Sequence, residues 1–266
     1  MPRIAVVGHV EWVDFVPVSR MPRQGEVVHA EGAFARAAGG GGVVAVVLAE
    51  LGAEVNFFCA LGDDPLGHAA AEQLAERGVT PHVAWRTEQP TRRALTLLEP
   101  GGERTIVTLG ERLEPLGEDD LAWERLDGAD GVYFTAGDVA ALQHARQAKV
   151  VVASPRGRAT LQDGAVIDAL VFSARDQDES EWASRLTATS RLLVETQGAG
   201  GGFWRGESEG SWSAAAPAGE TKDAYGCGDS FAAGVTFALA TGAPIAEAVA
   251  LGARCGARCL TRAGAP

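Results

Sequence analysis

Residues 223 to 229 read Asp223-Ala224-Tyr225-Gly226-Cys227-Gly228-Asp229, two carboxylates around a glycine turn, and open directly into the apolar run Phe231-Ala232-Ala233-Gly234-Val235. A helix starting here directs unpaired backbone N–H groups and the positive end of its dipole at the turn. Gly226 and Gly228 let the backbone approach a ligand, so the amides of Gly226, Cys227, Gly228 and Asp229 can converge on one phosphate oxygen. An Asp at the last position of such a turn stands beside the transferring group, where it can accept the proton of an attacking hydroxyl. The chemistry this suits is phosphoryl transfer. Asp and Gly are equally the residues of an ordinary helix cap, and residue types alone leave both readings open. A reactive thiol at Cys227 is a lesser alternative, because helix N-termini stabilise thiolates.

Other chemistries find less support. A Walker loop needs Gly-Lys followed by Ser or Thr, and the two lysines, Lys149 and Lys222, do not follow glycine. Gly206-Glu207-Ser208-Glu209-Gly210 matches the esterase elbow pattern, but polar residues precede it and no helical pattern follows, so it reads as a turn. Gly40 to Ala45 fits a loose dinucleotide pattern with Asp63 and Asp64 downstream, yet no convincing strand precedes it. Cys59, Cys227, Cys255 and Cys259 form no Cys-x-x-Cys pair and no Cys/His cluster, which argues against zinc and for buried thiols in a reducing cytoplasm.

The elements that must carry the turn follow from patterning. The chain has 266 residues, 46% of them hydrophobic, enough for one α/β domain with a large core. A net charge of −12 argues against nucleic acid and anionic membranes as partners. No apolar run reaches transmembrane length, and Met1 to Gly8 reads as a first strand and not as a signal peptide. Strands are expected at Ile4–Val7, Val55–Ala60, Val132–Thr135, Val150–Ala153, Ala169–Phe172 and Leu192–Glu195. Helices are expected over Val43–Leu51, Leu66–Arg77, Val139–Ala148, from near Gly228, and over Ile245–Cys259. This alternation predicts a parallel sheet flanked by helices. Val13–Val18 with Val27–Phe34, and Ala94–Glu99 with Ile106–Leu109, break the rhythm as short antiparallel pairs that can lie over the crevice at the strand ends. One domain over 1–266 is therefore expected, with lid strands inserted at about 12–35 and 92–110.

Five segments together resemble the ribokinase-like (PfkB) carbohydrate kinases. They are Gly39-Gly40-Gly41-Gly42-Val43-Val44-Ala45 running on to Gly52, Gly62-Asp63-Asp64-Pro65-Leu66-Gly67, Gly102-Glu103-Arg104-Thr105, Thr196-Gln197-Gly198-Ala199-Gly200-Gly201, and Asp223 to Asp229, similar to the family's Asp-Thr-x-Gly-Ala-Gly-Asp. They occur in family order, and the resemblance extends from Gly8 to Thr261–Ala265. It implies a three-layer α/β/α fold with a central, mostly parallel sheet and a small β-sheet lid. It also implies a cytoplasmic kinase, dependent on ATP and Mg²⁺, that phosphorylates a hydroxymethyl group of a sugar, a nucleoside or a similar small molecule. Asp229 would be the general base, and the amides of Gly226, Cys227 and Gly228 the anion hole. Asp14, Gly39, Gly40 and Arg104 would hold the acceptor, with His9 and Glu11 as neighbours. Thr196, Gly198, Gly201 and Ser173 would face the nucleotide. Asp176 would act on Mg²⁺ through water, and Asp223 would border a monovalent-cation site for K⁺. A homodimer paired through the lid is implied by the same analogy.

Three departures bear on the substrate. Val43, or Val44 if the register slips by one, stands where the family has an Asn that bonds a sugar hydroxyl, which argues against naming ribose. A nucleoside or pseudouridine-type kinase, with Val43 under a base, is one alternative. Ser173-Ala174-Arg175-Asp176 replaces the family's Asn-x-x-Glu, which leaves a non-catalytic sugar- or nucleotide-binding regulator as another. Ser154-Pro155-Arg156 resembles a family Asp-Pro-x turn without its acid.

Overall fold

The computed structural model describes residues 1–163, 166–264 and 266. Gly164, Ala165 and Ala265 lie outside the described residues, the last of them within the Thr261–Ala265 segment.

The chain begins with β1 (Arg3–Val7), β2 (Glu11–Pro17), β3 (Phe34–Ala38) and α1 (Gly39–Glu50), then β4 (Glu54–Gly62), α2 (Pro65–Glu76) and β5 (Val79–Arg86). β6 (Arg93–Leu98) and β7 (Arg104–Leu109) form a hairpin; β8 (Gly131–Phe134), α3 (Val139–Ala145), β9 (Val151–Ala153), α4 (Arg158–Asp163), β10 (Ile167–Ser173) and α5 (Gln177–Leu186) follow. The last part holds β11 (Ser190–Thr196), β12 (Gly202–Arg205), β13 (Glu209–Trp212), α6 (Cys227–Ala240) and α7 (Ile245–Cys259).

Nine strands form the main sheet in the order β13-β12-β11-β10-β9-β8-β1-β4-β5. All neighbours are parallel except β11 with β12 and β12 with β13. Helices cover both faces, so central strands are apolar on both sides and read as continuous runs. Ile4 and Val6 face a core shared with α1, α2, α6 and α7, and Ala5 and Val7 face one shared with α3, α4 and α5. The expected three-layer fold is present. No helix among the described residues is long and apolar enough to cross a membrane.

The second sheet, β3-β2-β6-β7, is the expected small lid. Its inner face is set by alternation: Glu11, Val13 and Phe15 of β2 and Ala94, Thr96 and Leu98 of β6 are buried. Residues 27–33 form no strand, and the partner of β2 begins only at Phe34. Val27 in that stretch is exposed, so no apolar face holds it in a sheet. α1 starts four residues earlier than its apolar pattern, at Gly39. Tertiary contacts override the poor helix propensity of four glycines: Gly39 N–H donates to the Tyr225 hydroxyl (3.3 Å), Gly40 N–H to His9 Nε2 (3.3 Å) and Gly41 N–H to the His9 carbonyl (3.1 Å). A Cβ on Gly41 would lie 2.6 Å from that carbonyl. α3 ends three residues short of its expected Ala148. The β12–β13 hairpin at the sheet edge and α5 lie outside the expected elements, whereas Gly206 to Ser208 is the turn that its composition suggests.

Candidate active site

β1, β8, β9, β10 and β11 run parallel, so the loops after them open at one edge of the sheet, the place where α/β folds bind ligands. α6 brings its N-terminus to the same edge. Gly226 takes the left-handed conformation (φ 73°) as its N-cap, with no side chain capping the helix. Ser230 N–H is the first to bond within the helix, to the Gly226 carbonyl at 2.8 Å, and Cys227 N–H makes a long turn bond to the Ala224 carbonyl at 3.4 Å. Helix geometry therefore leaves the amides of Gly228 and Asp229 as the free donors at the turn. A Cβ on Gly228 would meet nothing within 4 Å, which is the open cradle that an anion needs.

Asp229 sits in the first turn of α6, its side chain 16% exposed. Its Oδ1 is 3.6 Å from Arg156 Nη1, and both atoms would lie 3.1 Å from a Cβ on Gly40. The N-termini of α1 and α6 thus meet at the carboxylate. Arg156 rides a tight turn after β9, between the buried Pro155 and Gly157, and its Nε donates to Glu179 Oε1 at 3.0 Å. Arg158 just beyond has φ 48°, the one left-handed non-glycine among the described residues. The adjacent Asp229 and Glu179 carboxylates hold the Arg156 guanidinium firmly charged against its burial. Burial pushes the Glu179 carboxyl up, and Arg156 and the Ser173 N–H partly offset this.

His9, following β1, is 4% exposed. Burial, with the fields of Arg112, Arg156 and Arg92, lowers its pKa well below the usual value, so it is neutral. Its Nε2 accepts from Gly40, which puts the proton on Nδ1, a buried donor with no partner among the described residues. Glu11 Oε1 lies 3.5 Å from His9 Nε2 and 3.8 Å from Arg92 Nη1, and burial raises the Glu11 carboxyl.

Several expected residues converge here. Gly226, Cys227, Gly228, Asp229 and Gly40 do, with Gly39 packed against His9 and Glu11. Ser173 and Thr196 are register partners at the ends of β10 and β11. Gly198 and Gly201 close the next turn, with the Arg175 guanidinium against Gly198. Arg104 heads β7 at the lid end that docks on the signature loop, where Ala224 N–H donates to the Gly102 carbonyl (3.2 Å).

Others are placed differently. Asp14 is three residues from Glu11 on the same strand, so it faces away from the buried side, and it pairs with Arg93 at 2.8 Å. Glu11 occupies the inner face instead. Asp176 is exposed and caps α5 by accepting from Glu179 N–H at 3.1 Å. Glu179, not singled out from sequence, is the acid that turns toward Asp229. The signal was available, because Asp176-x-x-Glu179 has capping-box spacing. Both oxygens of Asp223 accept backbone N–H groups, from Tyr225 (2.8 Å) and Gly264 (2.6 Å), tethering the C-terminal segment to the signature loop. Val43 is buried against Gly226 and so supports the turn from beneath.

A carboxylate, a free-amide cradle and a bridging guanidinium meet at the open edge of this three-layer fold, that of a phosphotransferase with an alcohol as acceptor. The pfkB family carbohydrate kinase model matches residues 1–163 and 165–266. Ribokinase of Arabidopsis thaliana is 24% identical over 293 residues, taking in 99% of this chain and 77% of the relative. The solved structure of Arabidopsis thaliana ribokinase complexed with ribose and ATP superposes with a TM-score of 0.78 at 22% identity, over 99% of this chain and 94% of that one. A nucleoside kinase of Methanocaldococcus jannaschii, an archaeal member of the ribokinase family, gives 0.77 at 16% identity, over 100% and 93%. The chain belongs to the pfkB family of carbohydrate kinases.

Proposed function

We propose that this protein transfers the γ-phosphoryl group of ATP to a hydroxymethyl group of a sugar or sugar-like small molecule. The observation that carries this is Asp229, a carboxylate in the first turn of α6 beside the free amides of Gly228 and its own N–H, facing the N-terminus of α1. An alcohol is a poor nucleophile at neutral pH, and Asp229 takes its proton as the new P–O bond forms. The two amides hold charge that spreads over the phosphoryl oxygens. Ser173, Thr196, Gly198 and Gly201 line the approach of the nucleotide, and the docked lid excludes water that would otherwise hydrolyse it.

The described residues contain no cluster of three or more metal-ligating side chains. Mg²⁺ keeps several waters and arrives on substrate phosphates while meeting one or two carboxylates. Glu179 is the acid placed to meet it through water, with Asp176 holding the helix start beneath. Mg²⁺ bound with ATP supplies neutralisation of phosphate charge.

The lid also supports pairing between two copies. β7 is an edge strand with Ile106, Val107 and Leu109 between 42% and 49% exposed, an apolar edge that a second lid can cover. Sedimentation of wild-type protein and of Val107→Lys tests this; a monomer in both sinks it. The catalytic proposal is tested by coupled ADP release over a panel of sugars and nucleosides, with and without Mg²⁺. Metal-dependent turnover of at least one acceptor is expected, and turnover of none opposes the proposal.

A further inference from the structure

Three guanidinium groups from separate parts of the chain converge around His9 and Glu11, beside Asp229. Arg92 precedes β6, Arg112 follows β7, and Arg156 sits on the turn after β9. They form a contiguous arc: Arg112 Nη2 donates to the Arg156 carbonyl (3.2 Å), Arg156 faces Asp229, a Cβ on Gly40 would lie 3.1–3.3 Å from Arg156, Asp229 and His9, and Glu11 links His9 to Arg92. Arg112 is satisfied by Glu114 (2.7 Å), and Arg156 by Glu179.

Arg92 is not. Its side chain is only 18% exposed, its one acid neighbour, Glu11, is beyond hydrogen-bond distance at 3.8 Å, and its Nε is buried with no partner among the described residues. A mostly buried guanidinium whose Nε has no hydrogen-bond partner among the described residues is costly unless a ligand supplies an acceptor. Its position is nevertheless firmly built. Thr91 N–H donates to Asp64 Oδ2 (2.7 Å), Gly62 N–H donates to Thr91 Oγ1 (3.1 Å), and Trp12 N–H donates to the Arg92 carbonyl (3.0 Å). A Cβ on Gly67 would come 2.2 Å from the Gly62 carbonyl, so the Gly62-to-Gly67 segment is shaped to hold this point of the lid. By strand alternation Arg92 joins Ala94 and Thr96 on the inner face, whereas Arg93 points outward to Asp14.

We propose that the acceptor carries an anionic group, a carboxylate or a phosphate, which Arg92 binds from the lid with Arg112 and Arg156 contributing to the field. Guanidinium forks bind both anions bidentately, so the chemistry is shared by sugar acids and sugar monophosphates. Burial acts to raise the pKa of the nearby Glu11 carboxyl, which favours its uncharged form. The inference rests on the kinase function proposed above and refines its substrate.

The experiment compares ribose, ribonate and ribose 1-phosphate, and glucose, gluconate and glucose 1-phosphate, each with a free terminal hydroxymethyl group. Both the rise in melting temperature on binding and ADP release are measured. A charged member of a set should have a kcat/KM about tenfold or more above its neutral counterpart, the size of a charge-assisted hydrogen bond. Ribonate or gluconate activity identifies a sugar acid, and activity on a 1-phosphate identifies a sugar phosphate. Arg92→Gln should raise KM for the charged acceptor about tenfold or more with a much smaller change in kcat. Arg93→Gln, on the outer face, should leave both unchanged. Preference for the neutral members, or an unaltered KM in Arg92→Gln, overturns the inference while leaving the kinase function intact. Stabilisation by the charged compounds that Arg92→Gln abolishes, without turnover of any acceptor, upholds the anion site and overturns the kinase function.

Discussion

Asp229 Oδ1 lies 3.6 Å from Arg156 Nη1, so the proposed base of the reaction faces a fixed cation and not open solvent. The same guanidinium holds Glu179 through its Nε at 3.0 Å. Replacing Arg156 by Gln leaves two acids facing each other across the site, which should lower kcat roughly 100- to 1,000-fold, as loss of a charge-stabilising donor does. Arg156→Lys should recover only part of this, since an ammonium cannot serve both partners through a planar fork. Steady-state kinetics of the two variants, with circular dichroism as a control for folding, decide the point; equal rates in wild type and Arg156→Gln remove Arg156 from the chemistry.

Asp64 caps α2 and tethers the entry to the lid. Gly67 N–H donates to its Oδ1 at 2.8 Å and Thr91 N–H to its Oδ2 at 2.7 Å. Burial acts to raise its pKa, but the hydrogen bonds from Thr91 and Gly67 outweigh this, and the net shift is downward. A carboxyl lowered in the folded state stabilises above its unfolded pKa of about 3.9, and that stability disappears as pH falls through the folded value. Asp64→Ala should therefore cost about 1–2 kcal/mol near pH 7, the worth of a helix cap. The gap between wild-type and variant melting temperatures should narrow as pH falls below about 4. A gap that stays constant down to pH 3 contradicts this, on the same scale of about 3.9 for the free group.

The lid meets the signature loop through a backbone bond, Ala224 N–H to the Gly102 carbonyl at 3.2 Å, and through Phe15, which packs edge-on against Tyr225. Gly102 has φ 89°, a conformation that side chains resist, and a Cβ there would lie 3.3 Å from the Asp223 Cα. Gly102→Val should loosen this contact and admit water, increasing acceptor-independent ATP hydrolysis relative to transfer by roughly severalfold. Phosphate release measured without acceptor is the direct readout, and an unchanged ratio means that the lid does not seal the site here.

Cys227 stands in the anion turn, but its thiol contacts Cys259 and is half-buried, and both effects hold it as the neutral thiol. It is thus no nucleophile at neutral pH. Cys227→Ala should keep kcat within about threefold, because only the thiolate is reactive. A loss beyond that range would return the thiol to the mechanism.

Much of this site is legible in the sequence because glycine turns have few alternative uses once several occur in order. The turn before Asp229 opens α6, and Ser173 and Thr196 pair at the ends of β10 and β11. The acids were harder, because a spacing of three means different things on different elements. On β2 it places Asp14 opposite Glu11, and the apolar Val13 and Phe15 already mark which side is inward. At the start of α5 the same spacing is a capping pair, with Asp176 as the cap and Glu179 folded back to the Ser173 N–H at 2.9 Å. Arg92 carries no local signal at all. Its role arises from tertiary packing, through Asp64 and Thr91 twenty-seven residues apart in the chain.

The most direct test is phosphoryl transfer by Asp229→Asn, measured as ADP release with the best acceptor from the panel. Wild type should turn over in a Mg²⁺-dependent manner, and the variant should lose roughly 100- to 10,000-fold in kcat, the range expected for removal of a general base. Its melting temperature and ATP affinity should change little, since the amides of the turn remain. Turnover undiminished by Asp229→Asn would show that this carboxylate is only a helix cap.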